Sequence, residues 1–576
     1  MSDLKDATNG HYAADFWQLP ELLSLVASNL SHPGDLKSLC LTSRSLHAAV
    51  TPVLYRRVEI DLDKISEDDV ILKSGHCGHK HIRDLIIKSS KQSSRITDEA
   101  CWQLGHLMGL LPQDRLESLC TPDGIVLSPD VLKAVFTRQR ALKYMHLGPM
   151  HLSSSVPQPA SQNLTGLQIP EKIGCLADLD FYGDLLRNGP NIKGLSIRAE
   201  LLNYTFEKQI RLSNSVHFQD IEDDDVALGP SVVFSRLFGR LQSNAAPLPL
   251  EKLFLSRQRL SEAEESLVPF VAWENLRELQ IHNCPDVDEL LTRLTRDFKM
   301  KGSALRVFSL YVDDYSSPEL EGRFHIVMSF LKSFEGLRFL EIRWDDPDLF
   351  FDLGCIEGHL PTLTDLCLSF QGSRSTHSWL PDDSEIQYLL QNGPNLRQLA
   401  LPLKNEHNRN TGRSGIGSET VSMPVIVKAA SADPQQVLIL QSSHVKVLHV
   451  LSLPECRRHE GATPPDLYSF ASNIMAKASR YKDSALQFLC IGDWRWYQNT
   501  ATSSVGGRYG IETEGGCYFR GVQTDCFGMT RPAAIPVPAK RVKLEFPFWD
   551  AYVSDSEQYC LGAADYRLLG RRGQFT

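Results

Sequence analysis

From about residue 80 onward one phrase recurs along the chain: an apolar residue, two mostly polar ones, then apolar, any, apolar. In the first half it reads Ile82-Arg-Asp-Leu-Ile-Ile87, Leu142-Lys-Tyr-Met-His-Leu147, Leu164-Thr-Gly-Leu-Gln-Ile169 and Ile192-Lys-Gly-Leu-Ser-Ile197. It continues as Leu250-Glu-Lys-Leu-Phe-Leu255, Leu276-Arg-Glu-Leu-Gln-Ile281, Leu305-Arg-Val-Phe-Ser-Leu310 and Leu337-Arg-Phe-Leu-Glu-Ile342. Leu363-Thr-Asp-Leu-Cys-Leu368, Leu396-Arg-Gln-Leu-Ala-Leu401, Val445-Lys-Val-Leu-His-Val450 and Leu486-Gln-Phe-Leu-Cys-Ile491 close the series, and Leu116-Glu-Ser-Leu119 is a weaker copy. The last three positions alternate, which predicts a short strand with two apolar side chains on one face and the middle one on the other. Leu279 and Ile281, for example, turn toward a core and Gln280 away from it. A unit this small cannot bury its apolar side alone, whereas stacked copies share one continuous core. The phrases therefore predict an α/β solenoid over residues 82–491, rather than an ordinary α/β domain with several Leu-x-Leu strands.

Successive starts lie 26 residues apart (250 to 276), then 29 (276 to 305), 32 (305 to 337), 26 (337 to 363) and 33 (363 to 396). These spacings sit near or slightly above the leucine-rich-repeat period of about 20–29 residues and predict a horseshoe of that kind. Two gaps are longer. One spans 58 residues (192 to 250), twice 29, and predicts a degenerate repeat within 198–249; the other, 49 residues (396 to 445), holds the polar stretch Lys404–Gly417, expected to be a loop insertion. Leu185-Leu-Arg-Asn-Gly-Pro-Asn-Ile-Lys-Gly-Leu195 and Leu389-Leu-Gln-Asn-Gly-Pro-Asn-Leu-Arg-Gln-Leu399 nearly match. Each reads as a helix end, a turn in which Asn-Gly supplies a left-handed residue, and a strand, with proline stopping the helix. After Ile491 the phrase ends. Aromatic runs (Gly492-Asp-Trp-Arg-Trp-Tyr497, Phe546-Pro-Phe-Trp549) flank a Gly-rich and then Pro-containing stretch. Residues 492–576 are expected to form an irregular C-terminal cap that covers the last repeat, or else an extension with a partner surface.

Ahead of the repeats three short apolar helices occupy about forty residues, too few to bury a sufficient core alone. Leu22, Leu23, Val26 and Leu30 fall at helical spacing. Ser31-His-Pro-Gly34 breaks that helix, and Asp35 can cap a second one carrying Leu36, Leu39 and Cys40. Thr42 or Ser43 can cap a third, with Leu46, Ala49 and Val50 on one side and Pro52 ending it.

These residues resemble a family. Leu19-Pro20, Glu21-Leu-Leu23, Asp35-Leu-Lys-Ser-Leu39, Ser43-Arg-Ser-Leu46 and Pro52-Val-Leu-Tyr-Arg56 look like the F-box motif in the form common in filamentous fungi. Glu21 follows Pro20 directly, where the family usually has one residue between. The resemblance implies a three-helix hook that binds the Skp1 adaptor of cullin–RING ubiquitin ligases, with Leu19, Pro20, Leu22, Leu23, Val26, Leu36, Leu39 and Val50 as the Skp1-binding side chains. Some of these also serve the hook's own core. The alternative is an N-terminal helical cap on the repeats. His282-Asn-Cys284, after one strand, is close to the cysteine-containing leucine-rich repeat found in many F-box proteins. The expected order is thus F-box (12–60), linker (61–81), solenoid (82–491) and C-terminal cap or extension (492–576).

Composition narrows the function. A net charge of -10 argues against a nucleic-acid footprint, which needs a basic face. The run Glu222-Asp-Asp-Asp225 reads as a solvated loop. Thirteen scattered cysteines, many among apolar neighbours, fit reduced intracellular thiols. The N-terminus carries no signal-peptide pattern, and no stretch of about 18 apolar residues predicts a membrane span. The expected location is cytoplasmic, nuclear or both, where the glycosylation sequons Asn29-Leu-Ser31, Asn163-Leu-Thr165 and Asn203-Tyr-Thr205 have no meaning. No phosphate loop or His-Glu-x-x-His site is present, and Gly412-Arg-Ser-Gly-Ile416 departs from a nucleophile elbow. Gly75-His-Cys-Gly-His-Lys-His81 offers four soft ligands, but no second ligand pair stands at motif spacing, so it reads as a polar linker. No metal, cofactor or catalytic residue is expected. The remaining candidate is the concave strand face, including His146, Phe254, Gln280, His282, Tyr311, Glu341, Arg343 and His449, whose mixed chemistry suits a protein target. The leading expectation is a non-catalytic substrate receptor of an SCF-type ubiquitin ligase, which contacts a Skp1-like adaptor and through it cullin. The alternative is an interaction scaffold with a degenerate F-box.

Overall fold

The computed structural model describes residues 19–30, 33–65, 69–88, 98–121, 127–148, 162–170, 172–173, 176–198, 200–201, 232–239, 241, 246–261, 263–312, 324–344, 351–370, 381–401, 434–450, 467–491, 517–524 and 528–537. They fall into two compact units. The first runs to Leu250 and includes Pro269–Val271; the second holds Glu251–Val268 and the residues from Ala272 onward.

Among the described residues the first unit opens with three helices, α1 (Pro20–Ser28), α2 (Pro33–Cys40) and α3 (Arg44–Leu54). Pro20 stands in the first turn of α1, where a missing N–H costs no ladder bond. Ser43 caps α3 by accepting the Leu46 N–H at 3.1 Å. One residue from each helix (Ala27, Leu36 and Val50) closes a small core, flanked by Leu30, Leu39, Leu46, Val53 and Leu54. Pro52 lies inside α3 rather than ending it. It sits in the last turn and removes a single ladder bond, and the helix closes two residues later.

From α3 the chain passes straight into β1 (Arg57–Asp61), which pairs in parallel with β2 (Asp84–Lys88). The strand ladder therefore begins at Arg57, within the segment assigned to the hook. The described residues of the expected linker, 61–65 and 69–81, are folded onto the ladder as the return between β1 and β2, with 3-10 turns at Val70–Leu72 and His79–His81 and with Leu62, Leu72 and His79 buried. The ladder continues through β3 (Ser118–Cys120), β4 (Tyr144–His146) and β5 (Gly166–Ile169). A small pair, β6 (Lys172–Ile173) with β8 (Glu200–Leu201), sits beside it, and β7 (Gly194–Ile197) pairs with β5. Returns run through α4 (Asp98–Leu110), α5 (Pro129–Arg138) and α6 (Leu176–Asn188). Most of 198–249, the expected degenerate repeat, lies outside the described residues. The rest holds α7 (Val232–Phe238) and a bridge between Leu248 and Val271. Residues 222–225, 404–417, 492–497 and 546–549 also lie outside the described residues.

Among its described residues the second unit carries eight parallel strands in chain order. They are β9 (Lys252–Ser256), β10 (Glu278–His282), β11 (Val307–Val312), β12 (Phe339–Trp344), β13 (Asp365–Phe370), β14 (Gln398–Leu401), β15 (Val447–Val450) and β16 (Phe488–Ile491). Register places Phe254, Gln280, Ser309, Glu341, Cys367, Ala400, His449 and Cys490 in one row. Helices α8 (Ala263–Ser266), α9 (Val287–Lys301), α10 (Phe324–Leu331), α11 (Asp383–Asn392), α12 (Pro434–Gln441) and α13 (Leu467–Ala478) provide returns, with a 3-10 segment at Leu353–His359. The leading apolar residue of each phrase (Leu276, Leu305, Leu337, Leu363, Leu396, Val445) is fully buried, each contributing about 1.5–3 kcal/mol.

The Asn-Gly-Pro turns are built differently from expectation. Gly393 has φ -107, and Gly189 is not among the glycines with positive φ. A Cβ on Gly393 would lie 2.8 Å from Leu389 O, and one on Gly189 would lie 2.9 Å from Leu185 O. Glycine is required there because the turn crosses close over the last helical carbonyls. Asn191 and Asn395 then donate from Nδ2 to the preceding repeat's turn, at Gln162 O and Pro361 O, both at 2.7 Å. They tie one repeat to the next.

Among the described residues the ladder ends in a hairpin. β17 (Cys517–Thr524) pairs antiparallel with β16, and β18 (Thr530–Pro536) pairs antiparallel with β17. The Val537 N–H bonds Cys517 O at 3.0 Å. Antiparallel pairs alternate, so residues 530, 532, 534 and 536 turn their backbone outward. Pro532 and Pro536 have no N–H to offer at two of those four places. The outermost strand among the described residues is thereby blunted against addition of another strand.

Candidate functional site

Two surfaces were indicated by sequence, and the structure treats them differently. In the helical hook Leu23, Leu36 and Val50 are buried. Leu36 and Val50 belong to the hook's own core, so these two side chains cannot meet a partner while the hook is closed. Leu22 and Leu39 are half-buried, and Leu39 packs against that core. Leu19 and Val26 are exposed at 47% and 41%, and Pro20 is exposed beside them. Two further side chains are more exposed still: Leu25 at 56% and Leu41 at 79%. Sequence reasoning missed both. Leu25 lies three residues after Leu22 and one before Val26, so it widens their stripe. Leu41 follows the end of α2, where helical periodicity no longer speaks.

On the sheet face opposite the Leu-x-Leu core, six of the eight expected target-binding residues are buried. His146, Phe254, His282, Glu341, Arg343 and His449 are each at 8% exposure or less. Only Gln280 and Tyr311 are partly open. The physical reason is that strands about 4.8 Å apart bring same-row side chains into contact. Phe254 and Tyr311 both meet the His282 ring edge-on, with centroids at 4.9 and 6.2 Å. Ser309 donates to Glu341 Oε2 at 2.8 Å, and Arg343 Nε holds Glu341 Oε1 at 2.8 Å. His282 Nε2 lies 3.3 Å from Ser309 Oγ. Because the serine proton is given to Glu341, the imidazole is the donor in that contact. Gln280 donates to Glu278 Oε1 at 2.8 Å, and Lys252 pairs with Glu278 Oε2 at 3.2 Å. The His282, Ser309 and Glu341 trio has the residue types of a nucleophilic relay but not its order. Serine bridges the other two, whereas a relay needs histidine between nucleophile and acid.

The histidine-rich segment is folded into the first repeat. His79 Nε2 bonds Ile71 O at 2.7 Å, and His76 Nδ1 accepts the Gly78 N–H at 3.2 Å. Tyr55, His76 and His79 stack edge to face with centroids 5.1 and 5.5 Å apart. Among the described residues no group of His, Cys, Asp and Glu is placed to hold a metal ion, and no helix is long and apolar enough to cross a membrane. Cys284, after β10, is buried and accepts the Gln258 N–H at 3.4 Å; burial pushes its thiol up to about 12. Arg257 and Asn283 are both left-handed just past β9 and β10, so successive repeats leave their strands alike.

No family model matches this chain, and no curated protein matches it. Among solved structures, a chain in the crystal structure of the Rad7 and Elc1 complex in yeast aligns over 79% of this chain and 94% of its own length. The identity is 14% and the TM-score 0.33.

Proposed function

We propose that this chain is the substrate-recognition subunit of an SCF (Skp1–cullin–F-box) E3 ubiquitin ligase. Its three helices dock a Skp1-like adaptor, which brings cullin. Its repeats hold a target protein in the cytoplasm or nucleus. The chain performs no bond chemistry. It supplies proximity, which raises the effective concentration of target lysines at the ubiquitin-loading machinery.

One observation carries this reading. The helical hook leaves Leu19, Leu25, Val26 and Leu41 exposed while closing its own core with other residues. Large apolar side chains held out on a small helical element are what a partner interface requires. Of the eight residues expected to meet a target, Gln280 and Tyr311 are the partly open ones, and they are the proposed target contacts.

The test is affinity capture of the tagged chain with the proteasome blocked, comparing wild type with Leu25→Asp/Leu41→Asp. Both positions are solvated, so the fold persists. Adaptor and cullin recovery is expected to fall by about tenfold or more, while co-captured target is retained. Equal adaptor and cullin recovery from the two proteins would exclude the hook as the docking element.

A further inference from the structure

Cys490 closes the row of middle residues on β16, and Cys517 stands directly opposite it on β17. The Arg520 N–H bonds Gln487 O at 2.8 Å. Gln487 and Arg520 are therefore a hydrogen-bonded pair, and the antiparallel alternation makes Cys490 and Cys517 a non-hydrogen-bonded one. Pairs of that kind hold their α-carbons about 4.5 Å apart, within the range of about 4.4–6.8 Å that a disulfide spans. The two sulfurs lie 3.1 Å from each other, closer than ordinary contact. Both residues are buried, in a cluster with Cys367, Ala400, Val447, Phe488 and Val537. Burial first, and Cys517 second, pushes the Cys490 thiol well up, so it stays protonated while the hairpin is docked.

We propose that Cys490 and Cys517 form a reversible disulfide that staples the C-terminal hairpin to the last parallel strand. The hairpin brings Val537 onto the apolar cluster of Cys367, Ala400 and Val447, so the staple also fixes the cover of that cluster. The oxidant is a peroxide small enough to enter when the hairpin loosens. One cysteine gives up its thiol proton and its thiolate attacks a peroxide oxygen; the O–O bond breaks, leaving a sulfenic acid and a hydroxide that takes up the released proton as one water. The second sulfur then attacks the first, forming the S–S bond and releasing the hydroxyl, with the second thiol's proton, as another water. Two thiols and one hydrogen peroxide become one disulfide and two waters, and two electrons pass from sulfur to peroxide. A dithiol such as dithiothreitol reverses the step by thiol–disulfide exchange.

The experiment uses the full chain, purified reduced and then treated with excess hydrogen peroxide. Remaining thiols are alkylated under denaturing conditions and the digest is mapped by mass spectrometry. The expected product is a peptide pair joined through Cys490 and Cys517, lighter by two hydrogen atoms and separated again by dithiothreitol. Oxidation is also expected to raise the thermal midpoint by roughly 5 °C. The Cys517→Ala protein loses both the joined peptides and the shift. Peptide mapping of wild type decides the matter even where that variant fails to fold. If peroxide-treated, folded wild-type protein gives fully alkylated Cys490 and Cys517, the assignment is overturned. The same holds if these cysteines join other partners.

Discussion

Replacing His359 by alanine is expected to cost the second unit about 3 kcal/mol or more, read as a lowered midpoint in chemical unfolding. His359 closes the 3-10 segment Leu353–His359 and is fully buried. Its Nδ1 accepts the Leu337 N–H at 3.3 Å, and its Nε2 lies 3.0 Å from Leu331 O. These two bonds fix the neutral tautomer with the proton on Nε2. The ring also packs on Phe334 with centroids 4.9 Å apart. Alanine would leave a buried N–H and a buried carbonyl without partners, each costing about 1–3 kcal/mol, and would open space beside Phe334. Both groups belong to the helix-to-strand turn of one repeat, so the loss loosens its stacking on the next.

The same side chain sets a pH dependence. Burial, against the bond to Leu331, holds the imidazole down at about 4. The unfolded value is about 6.5, so the folded state keeps the neutral ring and the unfolded state takes up the proton first. This contribution is complete above about pH 6.5 and is lost as pH falls toward about 4, with a total of about 3 kcal/mol. Asp365 works in the opposite direction. Burial raises its carboxyl to about 7 against the Thr364 hydroxyl and the charge of Arg397, so its contribution is present at low pH and fades as pH rises toward 7. Comparing wild type with His359→Gln isolates the histidine. The difference in unfolding free energy between the two should change across pH 6.5 to 4 and stay flat above.

The second large effect lies on the opposite sheet face. Arg343→Ala is expected to destabilise the second unit by about 3–5 kcal/mol, measured by urea unfolding with far-ultraviolet dichroism. The guanidinium and the Glu341 carboxylate are both buried, and Ser309 spends its proton on the same carboxylate. Removing the cation leaves an anion in a place where water cannot solvate it. The double exchange Glu341→Gln/Arg343→Gln removes both ions together and should cost less than Arg343→Ala alone. If the double exchange costs as much as the sum of the two single ones, the pair is not coupled.

What the sequence made legible follows from its periods. Each phrase of the Leu276–Ile281 type became a strand, because two apolar residues at spacing two have only one way to share a core. The helices of the hook were likewise readable from Leu22 to Val50. Arg57–Asp61 was not legible as the first strand, since a helix end stands where the leading leucine would be. Gly393 was read for handedness, but its role is the approach to Leu389 O, a tertiary distance that composition does not carry. The division of Leu23, Leu36 and Val50 from Leu25 and Leu41 depends on how three helices close on each other. Burial of Glu341 and Arg343 depends on the neighbouring rows. Cys490 and Cys517 stand 27 residues apart, and only the antiparallel return of the chain brings them together.

The reading of this chain as a ligase receptor depends most on the hook and its exposed leucines. The direct measurement is calorimetric titration of the purified full chain with a purified Skp1-like adaptor, alongside Leu25→Asp/Leu41→Asp. The account predicts a one-to-one complex with wild type, weakened by about 30-fold or more in the variant, whose dichroism is unchanged. Absence of binding by folded wild-type protein, or equal affinity for both proteins, would contradict it.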